Sequence, residues 1–146
     1  MSTRKNIRDN IVTRLLADAP VAAIVSTRVE VGRCNVTTLD GTPRIYLYTE
    51  REQIDTHTMS VPRQQMRRMA LSVDFWRKET AGAIIDDQLD DAADKIGDAI
   101  TADTTCGGTC NDCVLTSLEY TIEGTEETRF GVARLTFEII YFSRES

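Results

Sequence analysis

The pattern of apolar and polar positions predicts two amphipathic helices. Between Thr3 and Asp18, the residues Ile7, Ile11 and Leu15 recur at the spacing of one helix face. Pro20 is expected to end this helix. Residues 83–102 give the clearest helical signal, because one apolar stripe runs through the whole segment: Ile85, Leu89, Ala92, Ile96 and Ala99.

Other segments alternate with a period of two, which predicts strands. They read "STRVEVG", "RIYLYTE" (44–50), "MRRMALSVDFWRK" (66–78), "VLTSLEYTIEG" and "TRFGVARLTFEIIYFS", the last two joined by the hairpin sequence "GTEET". The polar stretch between the second and third strands contains Pro62, and residues 51–63 are expected to form a protruding loop.

These segments predict an α+β fold with the order α-β-β-β-α-β-β. An antiparallel sheet of about four to five strands, with two helices packed on one face, would bury every apolar stripe. A chain of 146 residues is the usual size of a single domain, so residues 1–146 are expected to form one domain. The other face of the sheet carries Tyr46, Tyr48, Trp76, Arg134 and Glu138. Since that face is only half polar, we expect something to cover it.

Composition and charge exclude several classes of function. The net charge is −6 and the sequence pI is about 4.8, which argues against a nucleic-acid-binding surface built from bulk basicity. No apolar run approaches the ~20 residues of a membrane span, and charges interrupt the N-terminus too often for a signal peptide. The chain is therefore expected to fold in a cytoplasm with reduced thiols, which disfavours a disulfide framework.

The sequence "CGGTCNDC" raises the strongest possibility of an enzyme. Cys106, Cys110 and Cys113 have a spacing that resembles the cluster motif of radical enzymes that use S-adenosylmethionine. Those enzymes place the motif after an early strand of a much larger barrel, and a zinc site would need a fourth ligand, for which Cys34 is the spare cysteine. Cys110 and Cys113 also lack the strand-then-helix setting of a thioredoxin-like redox pair. The favoured interpretation is loop thiols with no bound cofactor; a small metal-binding or iron–sulfur redox protein remains the alternative.

No other motif predicts catalysis. The single histidine, His57, lies in the polar stretch, which excludes a metal site with two histidine ligands and weakens any hydrolase triad. Neither of the two glycine-rich phosphate-binding patterns is present. The chain is therefore expected not to be an enzyme.

The second predicted helix carries an acidic stripe opposite its apolar one, formed by Asp87, Asp91, Asp94 and Asp98. Carboxylates at this spacing point side by side into solvent and do not converge on an ion, so the stripe is interpreted as a solvated face. A further hypothesis is that the stripe of one copy pairs with a basic surface of another copy, formed by Arg63, Arg67 and Arg68.

Taken together, the segments resemble the tail terminator family of long-tailed bacteriophages, the minor tail protein U type. The resemblance lies in an N-terminal helix, strands like "PRIYLYTE" and "RRMALSVDFW", the acidic helix "LDDAADKIGDAI" and a closing hairpin that ends "RLTFEIIYFS". It covers about residues 6–142, and the "CGGTCNDC" insertion departs from the family pattern.

The resemblance implies a structural protein of the virion. Family members form a homohexameric ring on the end of the tail tube, stop its polymerisation and contact the head-completion proteins of the neck. The implied partners are thus other copies of this chain, the tail tube protein and the neck protein, with no cofactor and no membrane. The implied location is the tail–neck junction of a virion assembled in a bacterial cytoplasm.

Two further expectations belong with this interpretation. Six copies of an acidic chain would repel DNA, which suits a channel through which the genome passes without specific binding. A head-completion protein or a tail tube protein is a near alternative, because such proteins share an α+β or tube-like sheet architecture.

Overall fold

The computed structural model describes residues 3–33, 43–56, 64–78, 85–124 and 129–144. These residues form three helices: α1 (Thr3–Ala17), α2 (Ala19–Val25) and α3 (Ile85–Thr101). They also form five strands: β1 (Val29–Val31), β2 (Arg44–Thr56), β3 (Gln64–Lys78), β4 (Asp112–Gly124) and β5 (Arg129–Arg144). The α+β class and the predicted order of strands and long helices are confirmed.

The short helix α2 was not predicted, because Pro20 was expected only to end α1. α1 does end at Ala17, but Pro20 then lies in the first turn of α2, where its missing N–H costs nothing. The Asp18 side chain caps this helix by accepting a hydrogen bond from Val21 N at 3.1 Å. The proline therefore starts a second helix, and three helices pack over the sheet instead of two.

The strand β2 is longer than its sequence pattern predicted. Residues 51–56 continue the strand and pair with β3, so the prediction of a protruding loop over 51–63 is wrong for this part. A β-bulge between Thr49 and Arg51 shifts the alternation, which explains why the period of two was lost in the sequence. Residues 57–63, with His57 and Arg63, lie outside the described residues.

The strands form one sheet in the order β1-β2-β3-β5-β4. All neighbouring pairs are antiparallel except β1 and β2, which are parallel, so the expectation of a wholly antiparallel sheet is corrected at this edge. Parallel neighbours need a connection of about a dozen residues, and residues 32–43 between β1 and β2 are long enough for it. β1/β2 and β4 thus lie at opposite edges.

The main core lies between the sheet and the helices. Its sheet side alternates as predicted along β3 and β5, with buried Met69, Leu71, Val73 and Phe75 on β3. Ile7, Ile11 and Leu15 of α1 and Leu89 and Ile96 of α3 cover them.

The second face of the sheet is more buried than its polar residues indicated. Tyr46, Trp76, Phe130 and Val132 form a separate buried cluster, with the Trp76 and Phe130 rings packed edge to face at 6.2 Å. Large aromatic side chains on adjacent strands shield one another, which explains much of this burial.

Candidate functional site

The three cysteines of "CGGTCNDC" are core residues, two of them in the 102–111 turn and the third, Cys113, on β4. Cys106, Cys110 and Cys113 are free thiols that lie buried in the main core, beside α1 and the end of α3. The interpretation as loop thiols is corrected in two respects: Cys113 belongs to a strand, and the thiols of Cys106 and Cys110 in the turn are buried. The sequence did not indicate that these thiols are buried, because the glycine, threonine and asparagine around the cysteines are typical of an exposed turn.

Asp103 holds the cysteine turn in shape. Its carboxylate accepts hydrogen bonds from Thr105 N at 3.0 Å, Thr105 Oγ1 at 2.7 Å and Gly107 N at 2.9 Å. The hydrogen bond from the Thr105 hydroxyl, followed by those from the two backbone N–H groups, lowers the pKa of Asp103 to about 2.

The backbone of the turn needs glycine at one position for two reasons. Gly107 has φ +69°, a left-handed conformation, and a Cβ added there would lie 2.4 Å from Asn10 Nδ2 of α1. Cys106 itself has φ +48°, an uncommon conformation for a residue with a side chain. The close approach to α1 and the left-handed turn together direct the Cys106 thiol into the core.

The three thiols do not titrate alike. Hydrogen bonds from the Cys110 and Cys113 thiols lower the pKa of Cys106 to about 4. The same hydrogen bonds, together with burial, raise the pKa of Cys110 and of Cys113. Cys110 Sγ also lies 3.5 Å from the carbonyl oxygens of Thr104 and Asp112, to which its thiol donates.

Arg14 joins the cysteine turn to the end of α3. Its guanidinium donates hydrogen bonds to the carbonyl oxygens of Ala99 and Ile100, each at 2.8 Å, and of Asp103 at 3.0 Å. The last carbonyl groups of a helix have no partner within the helix, and a cation is favourable at that end. One side chain of α1 therefore caps α3 and contributes to the electrostatics of the thiols.

The structure brings the three predicted cysteines together. Among the residues that the structure describes, however, no group of three or more histidine, cysteine, aspartate or glutamate side chains is arranged to hold a metal ion. Cys34, the spare fourth ligand, lies outside the described residues. The metal-binding alternative stays a prediction.

The acidic stripe of α3 lies where the sequence placed it. Asp87, Asp91, Asp94 and Asp98 are all exposed, and Asp91 accepts a hydrogen bond from Lys95 of the next turn at 2.9 Å. Asp90, outside the predicted stripe, accepts a hydrogen bond from the Tyr120 hydroxyl of β4 at 2.5 Å. This contact fixes which flank of α3 faces β4.

The predicted basic surface has partners within its own chain. Arg67 Nε donates to Ser143 Oγ at 2.8 Å, and its guanidinium also contacts Glu52 and Gln65. Arg68 lies within 4.0 Å of Asp55 and 3.8 Å of Glu138. Pairing of these arginines with the stripe of another copy stays a prediction, and it would have to compete with these internal contacts.

A buried carboxylate lies on the second face of the sheet, which sequence reasoning did not single out. Arg134 Nε donates to Asp74 Oδ1 at 2.9 Å, and the Tyr48 hydroxyl donates to Asp74 Oδ2 at 3.1 Å. Burial, and after it the negative charge of Asp74, raises the pKa of Tyr48. Every oxygen of the carboxylate is satisfied, so this group stabilises the sheet and offers no open position for a substrate.

The outer strand β4 exposes apolar side chains. Their sequence predicted a strand but not their exposure. Five of its residues have large side chains that are 37–47% exposed: Val114, Leu115, Leu118, Tyr120 and Ile122. Leu118, Tyr120 and Ile122 alternate with polar residues and share one face of the strand, so the sequence pattern alone gave no signal that they are exposed.

Comparisons with known proteins give no family assignment. No family model matches the chain, and no curated protein matches it. The chain is similar to one solved structure titled "Virion of native gene transfer agent (GTA) particle". The similarity covers 91% of this chain and 92% of that chain, with 15% sequence identity and a TM-score of 0.40. A likeness of that size is loose, and it carries no assignment of function.

Among the described helices, none combines the length and apolar character that a membrane span requires.

Proposed function

We propose that this chain is a structural protein of a phage-like virion that caps the tail tube. In this role six copies form a ring on the end of the tube, stop its polymerisation and join the tail to the neck. The protein has no enzymatic activity in this proposal, and its working location is the tail–neck junction of the particle.

The observation that carries the proposal is the resemblance to the tail terminator family, together with the arrangement of the segments that bear it. "PRIYLYTE", "RRMALSVDFW" and "RLTFEIIYFS" lie on β2, β3 and β5, which are neighbours in one sheet. The acidic helix packs on that sheet as α3. Four segments that are separate in the sequence thus belong to one layered unit, as the resemblance implies.

The surface also supports a role in assembly. Long strands β4 and β5 form one side of the sheet, and β4 leaves large apolar side chains exposed. Exposed apolar side chains on an edge strand are unfavourable for an isolated protein, and natural proteins usually protect such edges. One groove among the described residues, between Arg51, Arg68 and Glu138, has a volume of about 120 Å³, which is small for a substrate site.

Deletion of the gene for this chain, in the genome that encodes the particle, tests the proposal. Without its terminator the tube is free to keep growing, so we expect tails of abnormal length, unattached to filled heads, in electron micrographs. Particles with tails of normal length joined to heads would refute the role.

The near alternatives give different micrographs. Loss of a tail tube protein would leave filled heads with no tails, whereas loss of a head-completion protein would leave tails of normal length that are not attached. Complementation with a Cys110→Ser variant separates the metal-binding alternative, because a capping protein should keep its function without that thiol.

A further inference from the structure

Exposed apolar side chains concentrate on one edge of the molecule. Of the eight large hydrophobic side chains that are exposed among the described residues, five belong to β4. Leu118 and Tyr120 pair with Leu135 and Ala133 of β5, which face the helices, so Leu118, Tyr120 and Ile122 extend that face beyond the cover of α3. The apolar layer of the fold therefore continues to the outer edge of the sheet.

Charge is divided between the two edges of the same molecule. Residues 85–124, which form α3 and β4, contain ten acidic residues and one lysine, a net charge of −9. Residues 3–33, which form α1, α2 and β1, contain six basic and three acidic residues, a net charge of +3. This separation arises although the chain as a whole is acidic.

The two regions extend to opposite edges of the sheet, and α1 and α3 pack against each other between those edges. β1 and β4 are the two outer strands of the sheet. α1 packs against β1, and α3 packs against β5 and β4. The basic edge, defined here as α1 and β1, also exposes apolar side chains, with Leu16 38% and Val31 51% exposed.

We propose that the acidic edge, α3 with β4, docks on the basic edge of a second copy of this chain. The two surfaces differ and extend to opposite edges of the sheet, so the contact runs head to tail and repeats from copy to copy, as a ring requires. The proposal rests on the proposed function, since it names the surfaces that such a ring would use. In place of Arg67 and Arg68, which lie on the central strand β3, it pairs the aspartates with basic side chains of α1. These also have contacts in their own chain, but the Lys5–Asp9 pair is more than half exposed on both sides and can exchange partners.

Individual side chains can be assigned to the contact. Asp90 bonds Tyr120 of β4, so Asp87 and Asp94, three before it and four after it on the same helix, lie on the flank beside β4. On the basic edge, Arg8 reaches Thr49 of β2 at 2.9 Å, and Lys5 lies one turn away on the same side.

The first experiment removes the apolar part of the contact. Sedimentation velocity of the purified full chain, over a range of concentrations at about 50 mM salt, measures self-association. Replacement of both Leu118 and Ile122 by threonine, which suits a strand, should weaken association by at least about tenfold, because two apolar side chains lose their burial. Val114→Thr is the matched control: Val114 and Ile122 are each 47% exposed on the same strand, but Val114 pairs with Glu138 and faces the other side of the sheet.

The second experiment reverses the charges. Asp87→Lys with Asp94→Lys, and separately Lys5→Glu with Arg8→Glu, should each reduce association, whereas an equimolar mixture of the two variants should restore it. Raising the salt to about 500 mM should weaken association of the unaltered chain, since exposed charges are screened. Arg68→Glu should have little effect.

The outcomes are separable. A monomeric unaltered chain at every concentration, equal effects of the Val114 and Leu118/Ile122 replacements, or a mixture that fails to restore association would each overturn the proposed contact. Loss of association in Arg68→Glu alone would indicate that the contact between copies lies at the centre of the sheet and not at its edges. Normal tails after gene deletion would refute the capping role while leaving this contact intact, so the two proposals can fail independently.

Discussion

At the scale of single residues, the buried Asp74 makes its partner Arg134 hard to replace. Its side chain is 3% exposed, whereas that of its partner Arg134 is 41% exposed. Loss of the arginine therefore leaves a buried carboxylate with only the Tyr48 hydroxyl, while loss of the aspartate leaves a cation that can reach water. The two halves of this ion pair are unequal in what their removal costs.

Replacement of Arg134 by alanine should lower the free energy of unfolding by about 2–3 kcal/mol, which is below the range for a fully buried pair because Arg134 is partly exposed. Arg68→Ala is the control on the same face of the sheet, since Arg68 and Glu138 are 45% and 40% exposed and 3.8 Å apart. It should cost no more than about 1 kcal/mol. Urea unfolding of both variants makes the comparison, and equal losses would contradict the assignment.

Asp103 gives a residue-scale prediction that depends on pH. Its pKa lies at about 2 in the folded chain, below the ordinary value of 3.8, so the hydrogen bonds of the cysteine turn favour its charged form. The stability that this carboxylate adds is fully present above pH 4 and is lost as the pH falls from about 4 towards 2.

In Asp103→Asn, the part of the pH dependence that belongs to this carboxylate should disappear. Urea unfolding of both proteins at several pH values between 2.5 and 5 measures it. The difference in stability between the unaltered chain and the variant should shrink as the pH falls through this range. A difference that stays constant would show that Asp103 titrates alike in the folded and unfolded chains.

At the scale of elements, α3 carries one residue that weakens it. Gly97 lies in the helix interior, and a Cβ added there would meet Leu135 Cδ2 at 3.9 Å and Leu115 Cδ2 at 4.0 Å, which are ordinary contact distances. Gly97→Ala should therefore raise the free energy of unfolding by about 0.5–1 kcal/mol through the higher helix propensity of alanine.

The matched control for Gly97 is Gly108→Ala in the cysteine turn. Gly108 has φ +85°, and no heavy atom lies within 4 Å of a Cβ added there. Alanine at this position therefore differs from glycine only through backbone strain. This replacement should cost about 1 kcal/mol or more. Thermal unfolding of the two variants should shift in opposite directions; a shift in the same direction would contradict the role given to one of these backbones.

Periodicity predicted the long elements well, because their burial follows one face. Leu89, Ala92 and Ile96 of α3 are buried as their spacing indicated, and the alternation along β3 and β5 gave the correct sheet face. The failures come from interactions that no local pattern records. A β-bulge disguised the second half of β2, and a cap at Asp18 allowed a helix to start where a proline was expected to end one.

The candidate site was less predictable than the fold. The cysteines were found by their spacing, but their burial depends on Asn10 and Arg14 of α1, which are about 90 residues away in the sequence. The apolar edge of β4 needed the strand order, because only the position of β4 at the outside of the sheet turns its Leu118 and Ile122 into exposed surface.

At the scale of the whole molecule, the chain has an acidic region, a basic region and an exposed apolar edge. A subunit of this kind is suited to a contact that repeats from copy to copy. An acidic region, α3 with β4, and a basic region, α1 with β1, extend to opposite edges of one sheet. In the proposed ring, each subunit would offer a different surface to each of its two neighbours, which would leave its other surfaces for the tube and the neck.

Cryo-electron microscopy of the intact particle tests the capping role most directly. We predict a single ring of six copies between the last layer of the tail tube and the neck, with the β1-β2-β3-β5-β4 sheet recognisable in each copy. Finding this chain repeated along the tube or in the head shell, or finding no copy of it in the particle, would contradict the proposed function.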